Sequence, residues 1–342
     1  MNRRWICSDV WMDIFPLFDH GQLGLNLALL SDRFDILVDK HFDGKSELTI
    51  WRTIEIEKDE GPEPKLSVWI GGTFVAFPMP DCPLPNKIRF KDLHIHYIDH
   101  SVIEFVRSNK HIWDRMGTNL ELSIDNDQPI CDVFCREIWP NFATNIRHLS
   151  FTNDDHLDSL RRLISPTILT DLDQLNSIDS DGLYPDGIAD DRPNATVGQV
   201  LSKWLHTQSK NGQLKRLHCH DYSDESNLEW VNNFKETFHR ATTLSFYIIQ
   251  LNFYTTKMPN EPFELVNERT NEKLILWKKS EYAWMLIRCP GETVAVHWKE
   301  NWDDNLNNVK FDLWDDINKC IGPLSGPEEK EEKEKADESS EN

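Results

Sequence analysis

Polar and apolar positions change period several times along the chain, and each change marks a different kind of element. Over residues 8–42 the period is helical. Val10, Trp11, Ile14, Phe15 and Phe18 share one face behind a Ser8 or Asp9 cap. After the Asp19-His20-Gly21 turn, Leu23, Leu27, Leu30, Phe34, Leu37 and His41 follow at steps of four and three, which is one helical stripe. Leu25 and Leu29 lie off that stripe, and Ser31-Asp32 offers a break into two helices. A segment of roughly 35 residues cannot hide so much apolar surface by itself. It either packs on the rest of the chain or waits for a partner.

Residues 47–77 switch to alternation. Ile50, Ile54, Ile56, Leu66, Val68 and Ile70 alternate with polar residues, interrupted by Glu60-Gly61-Pro62-Glu63-Pro64 and by Gly71-Gly72. The run Pro78-Met79-Pro80-Asp81-Cys82-Pro83-Leu84-Pro85 predicts an extended connector, because each proline fixes φ and biases the residue before it away from helix.

The middle of the chain repeats. A short motif, apolar-x-x-Leu-x-(apolar or small), recurs with central leucines at Leu93, Leu120, Leu149, Leu175, Leu217 and Leu244. Most of the intervals fall in the ~20–29-residue range of leucine-rich repeats. The long one contains the Asp/Gly/Pro-rich stretch 176–196, read as an inserted, solvated loop. Helical-period segments fit between the strands: Val102, Phe105, Val106 and Ile112; Phe134, Cys135, Ile138 and Phe142; Leu157, Leu160 and Ile164; Val197, Val200, Leu201, Trp204 and Leu205; Val231, Phe234 and Phe238. In a strand, the neighbours of a core leucine face away from the core. Those neighbours are Asp92, Asn119, His148, Gln174, Arg216 and Thr243 before the leucines, and His94, Glu121, Ser150, Asn176, His218 and Ser245 after them, all polar. Residues 263–266, 273–277, 284–288 and 309–313 again read as strands, with a hairpin loop over 267–272 and a short helix over 292–302.

Composition narrows the classes. The 342 residues carry 58 acids and 37 bases, a net charge of -21. Such a surface repels phosphate backbones, so nucleic acid is not an expected partner. Nor is a membrane, since no apolar run approaches ~18 residues. Beyond Gly322 the tail is polar and charged and is expected to stay disordered. Seven scattered cysteines and the lack of a leader-like N-terminus suit a cytoplasmic or nuclear protein.

Candidate chemistry is sparse. His94, His96 and His100, with His218 and His220, read as polar residues on an exposed sheet face, because zinc needs three or four ligands around one point and this spacing does not guarantee that. Cys131 and Cys135 share an apolar helix face and read as core. Ser177-Ile-Asp179-Ser-Asp181-Gly182 copies half of a calcium loop but has Ile188 where a bidentate Glu is needed. No P-loop, nucleophile elbow or zinc-protease helix is present. Neither a cofactor nor a catalytic centre is expected.

The first 42 residues resemble an F-box. Ile6, Val10, Ile14-Phe15 and Phe18 match the first half of its pattern, and Leu29-Leu30-Ser31-Asp32-Arg33-Phe34 with Leu37-Val38 matches the second. Two positions depart from it: Ile6-Cys7 stands for the usual Leu-Pro opening, and Pro16 falls inside the first helix. From about Trp5 to Leu313 the chain is also similar to a large family of F-box-containing proteins expanded in nematodes, particularly plant-parasitic ones. The segments that carry this are Ala28–Phe34, Tyr97–Phe105, Lys203–Thr207, Pro262–Leu265 and Leu286–Pro290. The resemblance implies docking on the Skp adaptor of a cullin–RING ubiquitin ligase, with the rest of the chain holding a protein substrate, and it implies no catalytic residues.

The expected organisation is α/β: an F-box-like three-helix module (5–45), a small β connector (46–89), a leucine-rich-repeat-like α/β solenoid body (90–255), a β-rich C-terminal cap (256–320) and an acidic tail (321–342). Adaptor binding is expected at Val10, Trp11, Ile14, Phe15, Phe18, Leu25, Leu29, Leu30, Phe34 and Leu37. Substrate binding is expected at His94, Glu121, Ser150, Asn176, His218 and Ser245, with Arg216 and Tyr247 alongside. The alternative is a protein-binding scaffold without a ligase, in which the N-terminal helices only seal the end of the repeat array.

Overall fold

The strand-period segments pair into one large sheet. The computed structural model describes residues 6–18, 23–43, 50–58, 63–70, 73–80, 83–84, 89–113, 117–124, 128–151, 154–209, 214–221, 229–253, 261–291 and 307–313. Its strands are β1 (Ile50–Glu57), β2 (Lys65–Ile70), β3 (Thr73–Pro78), β4 (Arg89–Ile95), β5 (Thr118–Ile124), β6 (Ile146–Phe151), β7 (Ser177–Asp181), β8 (Lys215–Asp221), β9 (Tyr247–Phe253), β10 (Phe263–Asn267), β11 (Glu272–Lys278), β12 (Ala283–Pro290) and β13 (Asn307–Leu313). Among the described residues they form a 13-stranded mixed sheet in the order β10-β11-β12-β9-β8-β7-β6-β5-β13-β4-β1-β2-β3. The centre, from β9 across to β1, is parallel. Antiparallel strands β2-β3 and β12-β11-β10 finish the two ends.

Parallel strands need long crossovers, and helices supply them here. They are α3 (His100–Ser108) and α4 (Lys110–Trp113), then α5 (Gln128–Val133), α6 (Asp154–Leu163) with α7 (Ile168–Asp171), α8 (Val197–His206) and α9 (Glu229–Arg240). Among the described residues, two of them start on side-chain caps. Asp99 accepts from the Val102 amide at 3.0 Å to open α3. Thr196 and Gln199 form a reciprocal capping box on α8, at 3.2 and 3.0 Å. The apolar stripes of these helices join one face of the sheet in a single core that contains Val102, Phe105, Phe134, Leu157, Leu160, Val200, Trp204, Phe234 and Phe238. No helix among the described residues is long and apolar enough to cross a membrane.

The strand register corrects two of the six repeat positions. The core row runs Leu93, Leu120, Leu149, Ile178, Leu217 and Ile249, with Val309 of β13 between the first two. Leu175 is buried but precedes β7 by two residues, and Leu244 is 42% exposed and lies outside β9. The true positions are isoleucines, three and five residues further on. Both offsets are odd, so each reverses which side chains face out. The 176–196 stretch is corrected too. Its first part is strand β7, and Leu183, Pro185, Gly187 and Ala195 are buried. The Asn233 amide holds the Asp186 carbonyl at 2.9 Å, and the Gly187 amide donates to Ser202 Oγ at 2.9 Å. Gly187 has φ +81°, and a Cβ there would lie 2.8 Å from the α9 backbone, so only glycine suits it.

Both ends of the repeat bring further findings. Strands β10 to β12 stay together, but β13 returns across the sheet and pairs in parallel with both β4 and β5. The first two repeat strands are therefore neighbours in sequence and not in space. At the N-terminus, α1 (Ser8–Ile14) ends before Pro16, which sits in a single 3-10 turn, Phe15–Leu17. Two short turns, Leu23–Leu27 and Ala28–Leu30, lead to an extended Ser31 and then α2 (Asp32–Asp43). This module has its own core of Phe15, Leu23, Ala28, Leu37, Val38 and Phe42. The expected 292–302 helix and the acidic tail lie outside the described residues.

Buried polar groups close the helix C-termini on the core face. Lys215, at the start of β8, donates to the carbonyls of Trp204 and, at 2.5 Å, Thr207, the end of α8. Asn267 donates to the carbonyls of Phe238 and Ala241 at 2.7 and 3.0 Å, the end of α9. Burial lowers the Lys215 ammonium to about 8. It lowers His206 to about 4, with the Arg288 and Lys215 charges adding to the effect. A depressed histidine makes the folded state refuse a proton that the unfolded chain accepts. Stability should thus fall as the pH drops from 6.5 towards 4. At ~1.4 kcal/mol per pH unit the loss approaches ~3 kcal/mol, and His206→Gln should remove most of it. Urea midpoints of both proteins across that range check this; equal slopes would contradict it.

Candidate functional site

The face of the sheet opposite the main core is a polar ladder. One register row reads Glu55, His94, Lys310, Glu121, Ser150, Asp179, His218 and Gln250. The row beside it reads Thr53, Asp92, Asn308, Asn119, His148, Ser177, Arg216 and Ile248. His94, Glu121, Ser150, Asp179, His218, Arg216 and Gln250 are half-buried, so the face is partly open to solvent. Towards β12 the face turns apolar, with Ile248, Met285, Ile287 and Cys289 in a small second cluster.

Of the eight expected substrate positions, His94, Glu121, Ser150, His218 and Arg216 fall on this face. Asn176, Ser245 and Tyr247 do not, because the odd register offsets reverse their sides. Asn176 precedes β7, and its carbonyl accepts from the Arg216 amide at 2.8 Å. Ser245 is buried, and its amide donates to Glu272 at 3.0 Å. Tyr247 is fully buried on the core face against His206 and Phe234, where burial raises its phenol well above the ordinary value. Asp179 and Gln250 take the vacated row positions. Their signal was present as alternation in Ser-Ile-Asp-Ser-Asp and Ile-Ile-Gln-Leu-Asn-Phe, but a search for leucines passes over isoleucine-centred strands.

Asp179 is the centre of the ladder. His148 Nε2 lies 3.5 Å from its Oδ2, and His218 Nδ1 lies 3.1 Å from its Oδ1. Burial alone would raise this carboxyl. The hydrogen bonds and charges of the two imidazoles outweigh that and hold it well below the ordinary carboxylate range. Along β7, burial raises Asp181, with His220 opposing and Asp179 and Glu121 adding to the rise. The carboxylate of Asp179 thus ties three strands and orients both rings. A depressed acid contributes stability above its unfolded value of ~3.9 and loses it as the pH falls through the folded value. Asp179→Asn should cost about 1.5–3 kcal/mol at pH 7, the range for hydrogen bonds to charged groups. The deficit should vanish in strong acid. Denaturant titrations at the two pH values check this; a deficit that persists in acid would contradict it.

Cys131 and Cys135 are not part of this surface. Cys131 is buried and Cys135 half-buried beside Phe134 and Ile138, and burial, with smaller effects from Cys131 and Asp132, pushes the Cys135 thiol up to about 12. A thiol so rarely ionised is a poor nucleophile or redox group.

The N-terminal module presents a different surface. Phe15 and Leu37 are buried in its core, and Trp11 and Phe34 meet edge to face at 4.9 Å. Those four hold the module together. Val10, Phe18 and Leu30 are exposed, together with Leu17 and Ile36, while Ile14 is half-buried. The side chains of Leu25 and Leu29 lie outside the described residues. Leu30 is 67% and Leu17 82% exposed.

Comparison of the chain with family models, with curated proteins and with solved structures gave no match.

Proposed function

We propose that the chain is a non-catalytic substrate receptor of a cullin–RING ubiquitin ligase. The N-terminal module acts as a divergent F-box that docks on a Skp adaptor, and the body acts as a leucine-rich-repeat-like array that binds a protein through the polar ladder. The observation that carries the reading is the apolar surface left on a module that already has its own core: Val10, Leu17, Phe18, Leu30 and Ile36. Five large apolar side chains left in solvent on one small module are surface that a docked partner would bury. A helical seal would spend those side chains on the repeat array, whereas here they are exposed. The Ile6-Cys7 opening stands as a departure from the F-box pattern, whereas the departure at Pro16 leaves the first helix intact. Pro16 lies beyond the end of α1, where its missing amide breaks no helical hydrogen bond.

The chemistry of ubiquitin transfer belongs to other subunits. This chain's share is to hold a substrate near the charged enzyme, which raises the effective concentration of its lysines. The two surfaces divide the work, and co-purification separates them. Wild type should bring down adaptor and cullin. Leu30→Asp should lose both, with an unchanged melting temperature because Leu30 is outside the core. Arg216→Glu should keep adaptor and cullin while changing the remaining partners. Retention of adaptor by Leu30→Asp would rule out the F-box reading.

A further inference from the structure

We propose that Glu55, His94 and His96 form a binding site for a zinc-class divalent metal ion at one end of the polar ladder. The three residues come from two parallel neighbours. Glu55 of β1 stands in register with His94 of β4, and His96 follows His94 by two residues on the same side of the strand. The His96 amide donates to the Ile56 carbonyl at 2.9 Å, so the pairing continues past the end of β4 and fixes the second histidine. Strand β4 is held on its other edge by β13, so the backbone that carries the two imidazoles is clamped on both sides.

The geometry suits an ion better than it suits a hydrogen bond. One ligand atom from each of the three residues lies within 4.8 Å of the other two. His94 Nδ1 and Glu55 Oε1 are 3.7 Å apart. That is long for a direct hydrogen bond, for which ~2.7–3.2 Å is usual. It is close to the ~3.3–3.5 Å that separates two ligands around a tetrahedral ion with bonds of ~2.0–2.2 Å. The two imidazole rings meet edge to face at 6.3 Å and 82°, and ligand atoms within 4.8 Å of one another reach the ~3.3–3.5 Å spacing around one ion by side-chain rotation.

Two imidazoles and one carboxylate are a borderline donor set, which suits zinc over calcium or magnesium. All three residues are half-buried. The site is thus shielded on the sheet side and open to solvent on the other, with a fourth position left for water or for a partner's side chain. The spacing of the histidines in the sequence does not by itself guarantee three or four ligands around one point. The third ligand is Glu55, about 40 residues away in the chain, and only the β1-β4 pairing supplies it.

Titration with Co²⁺ tests the site, because this ion reports its coordination by visible absorption, and Zn²⁺ competition then gives the affinity. One equivalent of Co²⁺ should bind in a low-coordinate spectrum and be displaced by Zn²⁺. His94→Ala and His96→Ala should each weaken Zn²⁺ by about 100-fold or more, beyond the ~10–100-fold that losing a supporting partner costs. His96→Gln, with unchanged circular dichroism, guards against a folding artefact. His148→Ala and His218→Ala should leave the affinity unchanged. Absence of stoichiometric binding would overturn the proposal. So would binding that survives both His94→Ala and His96→Ala, or that is lost only with His148 or His218.

Discussion

Replacing Glu272 by Ala is expected to cost about 3–5 kcal/mol, because it strands a buried guanidinium. Arg288 and Glu272 are 2% and 0% exposed at the side chain and meet in a fork, with Nη2 to Oε2 at 2.7 Å and Nε to Oε1 at 3.2 Å. Each partner also anchors the segment that enters β9. The Ser245 amide donates to Glu272 at 3.0 Å, and Arg288 Nη2 donates to the Thr243 carbonyl at 2.9 Å. The guanidinium lies 5.4 Å from the centre of the Phe238 ring. Removing one charge leaves the other with no water to turn to. Removing both is a smaller matter, because well-packed apolar replacements of a buried pair are often neutral or stabilising. Glu272→Ala and Arg288→Met should therefore each be severe, and Glu272→Leu combined with Arg288→Met much milder than their sum. Urea unfolding with a constant m-value measures all of these. Additive losses would contradict the pairing.

The second large effect tests the register. Leu217→Ala and Ile249→Ala should each cost about 2–5 kcal/mol through lost burial and a cavity. Both side chains are fully buried in the core row. Leu244→Ala should cost within about 0.5 kcal/mol, as at other surface positions. The repeat motif read from sequence ranks Leu244 with Leu217, whereas the strand pairing ranks Ile249 with it. Melting curves of the three variants decide between them. A large loss at Leu244 with a small one at Ile249 would restore the motif's register.

That contrast illustrates what was legible before the fold was known. Helical stripes such as Val200-Leu201-Trp204-Leu205 and strands such as Arg-Phe-Lys-Asp-Leu-His-Ile are local patterns, and they were readable because burial on one side imposes a period. The Ser31 break was readable because serine and aspartate favour helix starts over helix interiors, and the second helix does begin at Asp32. Register was legible only where the core residue was a leucine. At Ile178 and Ile249 the nearest leucine lay an odd number of residues away, so the outward face was reversed and Tyr247 was expected in solvent when it is in the core. Neighbour order was not legible at all. Nothing periodic in Asn307–Leu313 says that this strand returns to lie between β4 and β5, or that Glu55 stands beside His94. Pairing of that kind depends on which strand edges are open once the rest of the sheet has formed. The ladder's centre is hidden for a related reason: the Asp/Gly/Pro-rich composition of 176–196 reads as a loop, and Asp179 lies inside it.

The central claim is that the N-terminal module docks on a Skp adaptor through its exposed apolar residues while the body remains free to bind. Calorimetric titration of the purified chain with purified adaptor tests this most directly, with wild type, Leu30→Asp and Arg216→Glu run side by side. The account predicts a one-to-one complex for wild type and Arg216→Glu, with a negative heat-capacity change from apolar burial, and no detectable heat for a folded Leu30→Asp. No complex with wild type, or equal affinity for all three, would contradict it.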